Sequence, residues 1–101
     1  MSRDLATLTA GEFEPLAGEK FLMTSASGVS QEVELLKVRI APHRVPKGFR
    51  QQFALEFRSP PGEAQPQSIY TFTHPVAGEM AIMITPVQSS ERGVCYEGIF
   101  G

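Results

Sequence analysis

The side chains of this chain that could perform chemistry are two histidines, one cysteine and a spread of glutamates. His74 stands directly before Pro75, where a polar tip at a strand end can hydrogen-bond a turn carbonyl. His43 lies in the proline-flanked stretch Pro42-His43-Arg44-Val45-Pro46-Lys47-Gly48, which reads as a solvated loop. A Cys/His nucleophile pair would need Cys95 beside His74, a third group to orient the imidazole, and oxyanion donors nearby. Nothing in the local sequence of Cys95 sets up that arrangement, so no residue is assigned a catalytic role. The glutamates, at 12, 14, 19, 32, 34, 56, 63, 79, 91 and 97, fall on helix, turn and outward strand positions. They read as a solvated surface, not as a carboxylate pair flanking a substrate. A phosphate-cradling Gly-x-x-x-x-Gly-Lys-Ser/Thr run and a dinucleotide fingerprint are both absent, and no Cys/His set has metal-ligand spacing. No cofactor and no metal are expected.

The one concentration of like charge is Arg39, His43, Arg44, Lys47, Arg50 and Arg58. It could meet an acidic protein surface or a phosphate chain. The blander reading is a solvated rim balanced by Glu32, Glu34 and Glu56 across the same strands, and it is preferred. The binding candidates are therefore Arg44, Lys47, Arg50, Arg58 and His74. RNA binding would require outward aromatics interleaved with basic residues, whereas the phenylalanines share parity with the core.

These groups must be positioned by elements, and the elements read as mostly strands. Thr9 and Glu12 have capping-box spacing, with Leu8 and Phe13 placed for a hydrophobic staple. Pro15 and Gly18 stop the helix, which should run from Ala10 to about Leu16 as a plug or lid. From Glu19 onward apolar residues alternate, and turn signals recur every 8 to 12 residues or so, the rhythm of an all-β chain. The expected strands are Lys20–Thr24, Val29–Ala41, Arg50–Arg58, Ser68–His74, Glu79–Thr85 and a last one from Val94 to Phe100. Ser25 to Gly28 is a hairpin turn, with Gly28 free to take a positive φ. Val33 and Leu35 share one parity and Leu36, Val38 and Ile40 the other, which implies a bulge near Leu35 and Leu36. Segment 59–67 holds Pro60, Pro61, Gly62 and Pro66 and is an irregular loop; Ser89 to Gly93 is a turn.

Six strands in short succession should pair antiparallel with their sequence neighbours, as a meander. Curling until the first and last strands meet removes the open edges and the bare apolar face. The expected fold is thus an all-β, six-stranded antiparallel barrel, closed or partly open, with a short N-terminal helix. The inward set would be Phe21, Met23, Val33, Leu35, Leu36, Val38, Ile40, Phe53, Leu55, Phe57, Tyr70, Phe72, Met80, Ile82, Ile84, Val94, Tyr96 and Phe100. A barrel of this size has room for those side chains and little else, so no sizeable internal ligand cavity is expected.

The chain has 101 residues with a formal net charge of -2, and its pI is about 5.6. That length suits one domain over residues 1–101, with 1–18 as an N-terminal segment and 19–101 as the barrel. The charge balance lacks the basic footprint of a general nucleic-acid binder, and the longest apolar runs are too short to cross a membrane. Lone Cys95 excludes an intrachain disulfide, and residues 1–10 lack the pattern of a secretion signal. Cytoplasmic localisation follows as the expectation.

Four runs carry a family likeness. They are Leu8-Thr9-x-x-x-Phe13-x-Pro15-Leu16-x-Gly18-x-x-Phe21, then Gly48-Phe49-Arg50-x-x-Phe53-x-Leu55-x-Phe57-Arg58-x-Pro60, then Gln67-x-x-Tyr70-x-x-x-His74-Pro75-x-x-Gly78, and finally Pro86-Val87 with Tyr96-Glu97-x-x-Phe100. As a set they resemble a family of short bacterial proteins known only as a domain of unknown function. Members are often encoded beside phage-tail-collar-like proteins, so the resemblance implies a small accessory or assembly partner of a tail-like structure. Two readings follow. One is a non-enzymatic interaction module that docks a protein partner through a strand edge or the Pro60 to Pro66 loop. The other is a small-ligand or enzymatic barrel with a mouth lined by His74, Tyr70, Arg50 and Glu56. A homo-oligomer stays open, since an imperfectly closed sheet could complete its hydrogen bonding through a second copy.

Overall fold

The computed structural model describes residues 9–40 and 52–100. Its elements are a helix α1 (Ala10–Phe13) that tightens into a 3-10 turn (Glu14–Leu16), followed by six strands. These are β1 (Lys20–Thr24), β2 (Ser30–Ile40), β3 (Phe53–Ser59), β4 (Ser68–His74), β5 (Gly78–Ser90) and β6 (Gly93–Phe100). All pair antiparallel, and the sheet closes on itself into a barrel.

The order around the barrel is β1-β2-β3-β6-β5-β4, so the neighbour-to-neighbour order of a meander is not kept. β3 pairs with β6, and β4 pairs with β1. The reason lies in the connections. β4, β5 and β6 are joined by short turns, whereas β3 and β4 are joined by segment 60–67, whose three prolines suit no tight hairpin. That segment is long enough to cross one end of the barrel and deliver β4 to the far side, a Greek-key connection. Two tyrosines rising from the barrel hold it there. The Tyr70 hydroxyl donates to the Pro66 carbonyl at 2.7 Å, and the Gln65 N–H donates to the Tyr96 hydroxyl at 2.9 Å.

The inward set is buried except at Leu36, Val38 and Ile40. Phe57, Phe72, Leu35, Leu55, Met80, Ile84 and Tyr96 are all fully enclosed. Phe57 packs tilted on Phe72 with ring centroids 4.6 Å apart, and edge-on to Phe21 at 5.5 Å. At inward position 98 a glycine stands where any Cβ would come within 2.8 Å of Ile82 Cγ2, so the space belongs to β5. The β2 bulge falls between Leu35 and Lys37, as the parity switch implies, and Leu36 is the extra residue. Leu36 and Val38 are only half-buried and Ile40 is 50% exposed, contrary to the expected inward set. β1 ends its pairing at Glu34, so nothing from β1 covers this last part of β2.

The missing length of β1 is made up by the plug. The Thr9 N–H donates to Glu12 Oε2 at 3.0 Å and fastens the helix start; Leu8 lies outside the described residues. Phe13 is buried against Phe53 and Phe100, with centroids 6.0 and 5.9 Å away, while those two rings stack at 4.6 Å. Gly28 has φ 91° in the first hairpin turn, as that turn demands. β5 runs to Ser90, beyond the expected Thr85, and a second bulge between Pro86 and Gln88 absorbs the proline. The turn expected over Ser89 to Gly93 shrinks to Glu91 and Arg92.

Candidate functional site

His74 is the most elaborately held polar side chain of the described residues, and it sits at the plugged end of the barrel. It is 4% exposed, and its ring lies 4.7 Å from that of Phe21. Nδ1 accepts the backbone N–H groups of Val76 and Ala77 at 3.0 and 3.1 Å. Nε2 lies 2.6 Å from Glu19 Oε1. Two donors on Nδ1 assign the proton to Nε2, which donates to the carboxylate. The expected bond to a turn carbonyl is therefore reversed: His74 receives the turn's amides. Pro75 explains this, because it has no N–H and the next two amides point back along the chain at the ring. Each nitrogen is occupied, and the imidazole serves as an internal tie between the β4–β5 turn and the link from plug to β1.

The four residues of the supposed mouth do not converge. Tyr70 and His74 lie at opposite ends of β4, each committed to its own bond. Glu56 projects from the outside of β3 toward Lys37 and Arg39, and Arg50 lies outside the described residues. Cys95 is half-buried on the outer face of β6, opposite Arg58 and toward the end of the barrel away from His74. No Cys/His pair is formed. Burial, and then the neighbouring Tyr96, raise the Tyr70 phenol above its ordinary value of 10.0.

Of the basic candidates, Arg44, Lys47 and Arg50 lie outside the described residues, as does His43. The two described arginines of that cluster are paired. Arg58 Nη2 is 3.5 Å from Glu34 Oε1, and Arg39 bonds Glu97 and lies 3.5 Å from Glu56. Lys37 Nζ is 3.6 Å from the same Glu56 oxygen. The outer face of β2, β3 and β6 is thus laced with mixed charges in register at its described positions.

Two surface clefts lie near the plugged end among the described residues. One of about 260 Å³ separates the plug from the β4–β5 turn and is lined by Phe13, Leu16, Val76 and Met80 among others. Another, of about 360 Å³, runs beside Lys20, Glu32 and Thr73 past His74, whose ring nitrogens are already occupied. Among the described residues no three His, Cys, Asp or Glu side chains gather as a metal site. No described helix is long and apolar enough to cross a membrane.

The outside of the barrel carries a small apolar patch. The outward positions of β4 and β5 from Ile69 to Thr73 and from Ala81 to Thr85 carry no charge. Ile69 faces Met83 across the strands, and Ile99 of β6 faces Ala54 of β3. The three large side chains are 56%, 49% and 72% exposed respectively. Their alternation with the core residues of the same strands is visible in the sequence, so the signal was parity rather than any motif.

A family model described as Domain of unknown function (DUF6916) matches residues 8–100, and the chain belongs to that family. No curated protein and no solved structure matches it.

Proposed function

We propose that this family member is a non-enzymatic protein-interaction or assembly module that works through the outside of its barrel. The observation that carries the reading is a barrel interior filled by its own apolar side chains, with Phe57, Phe72, Leu35, Leu55 and Tyr96 wholly enclosed. Both nitrogens of His74 and the described basic residues of the expected site are taken up in internal bonds. The uncharged outer wall around Met83 supports the reading further, because depletion of charge with aliphatic and Met side chains is typical of interface centres. A phage-tail-collar-type protein is the partner the family resemblance implies, and it is the first bait to try.

Affinity capture with the tagged chain, followed by mass spectrometry, tests this. A discrete protein recovered with the wild type and lost with Met83→Glu or Ile99→Glu supports it. Equal recovery of the same background from wild type and variants, together with saturable binding of a small molecule, would sink it.

A further inference from the structure

We propose that the plug is a lid that opens separately: it swings away about Ala17 and Gly18 while the barrel stays closed, and so governs access to the side of Phe53 and Phe100 on which Phe13 rests. The lid belongs to the plugged end and is independent of whether the outer wall binds a protein. The plug runs from Ala10 to Leu16, entered at Thr9 and ended by Gly18. A helix well under about 12 residues does not persist in water by itself, so the barrel must supply its order. Three side chains at a spacing of three, Ala10, Phe13 and Leu16, are buried, and the residues between them are exposed.

The bonding of the plug sets it apart from the ring of strands. Within it, the Glu12 N–H donates to the Thr9 carbonyl at 3.1 Å and the Ala17 N–H to that of Glu14 at 3.3 Å. Backbone bonds to the barrel stand at its root, where the Gly18 N–H donates to the Leu35 carbonyl at 2.7 Å and the Leu35 N–H to that of Glu19 at 3.0 Å. His74 secures the same root through Glu19. Every ladder of the ring joins two strands, so the sheet closes without the plug. Between plug and root the chain leaves the helical region, with ψ 134° at Ala17 and φ 88° at Gly18, and there it can pivot. Opening breaks the 3.0 Å bond from the Glu19 N–H to the Leu16 carbonyl, which water can replace at this exposed turn. A cleft of about 260 Å³ already parts the plug from the β4–β5 turn. Opening re-exposes Ala10, Phe13, Leu16 and the ring faces beneath them, a small share of the apolar area that holds the barrel. The cost of a local opening follows that share and stays below the cost of global unfolding.

Thiol labelling of the full chain in graded urea tests this, in a Cys95→Ser background that removes the half-buried native thiol. Leu16→Cys and, separately, Ala10→Cys place a probe under the lid, and Val33→Cys places one in the enclosed wall of the barrel. The lid thiols should react through an opening that depends little on urea. The Val33→Cys thiol should react only with the steep urea dependence of global unfolding. Adding Ile84→Val, in the enclosed face of β5, should speed labelling of the barrel thiol about two- to tenfold. It should leave the lid thiols unchanged, since the barrel is intact when the lid is open. Circular dichroism melts establish that each variant is folded, and either lid probe serves if the other is not. Lid thiols that share the barrel's urea dependence, or that Ile84→Val accelerates equally, overturn the proposal. So do lid thiols that react as fast as free cysteine, because the lid then has no closed state.

Discussion

At the scale of single residues, His74 shows how a group with catalytic credentials can be spent on architecture. It caps two amides that Pro75 leaves turned toward it and reaches across 55 positions to Glu19. His74→Ala strands the buried Ala77 amide and opens a gap against Phe21, and should cost about 2 to 4 kcal/mol in urea unfolding. Glu19→Ala should cost less, about 1 kcal/mol, because the carboxylate is half-exposed and water can replace it on Nε2. Tyr70 supplies a second residue-level outcome. Its raised phenol stays neutral in the fold at pH values where the unfolded chain has begun to ionise. The stabilisation is therefore complete below the ordinary value of 10.0 and drains away as pH climbs above it toward the folded value. The ultraviolet titration difference between wild type and Tyr70→Phe should show the Tyr70 tyrosinate appearing at higher pH in the folded protein than in urea.

At the scale of elements, the β2 bulge and the plug act as one device. Leu36 is the extra residue, and the bulge that absorbs it keeps Leu35 inward against Phe57 and Val38 inward against Leu55. Deleting Leu36 would leave Leu35 opposite Phe57, Lys37 opposite Glu56 and Val38 opposite Leu55 in one regular ladder, so both halves of β2 keep their faces and only the bend and twist of the bulge are lost. The deletion should keep a cooperative unfolding transition by calorimetry but lower its midpoint, whereas Leu36→Ala, which keeps the bulge, should cost no more than about 2 kcal/mol at this half-buried site. The bulge, together with Lys37, also protects the edge of β2 that β1 does not reach, both being common ways of blunting an edge against stray strand pairing.

At the scale of the whole molecule, segment 60–67 decides the topology. It must span the barrel end to let β3 lie beside β6 and β4 beside β1. Replacing it with a two-residue Asn-Gly turn would favour a β3–β4 hairpin that the closed order has no place for, and the expected result is insoluble protein. Changing only 61–64 to Gly and Ser at equal length retains the span and the Gln65 and Pro66 bonds to the two tyrosines, so a cooperative melt should survive. Solubility and thermal unfolding of the two variants, measured side by side, distinguish span from composition.

The strands, the bulge, the plug and the all-β class were legible in the sequence, because alternation, proline and glycine act over a few residues and leave local marks. Phe53, Leu55 and Phe57 announced a buried face, and all three are buried. The sequence also carried the uncharged outward positions of β4 and β5, readable by parity once the strands are drawn. Which strand lies beside which was settled only by closure. Pairing β3 with β6 and tying His74 to Glu19 depend on contacts between distant segments, and their merit exists only when the other strands are already in place. The exposure of Ile40 follows from the same cause: its own strand placed it inward, and the early end of a different strand left it uncovered.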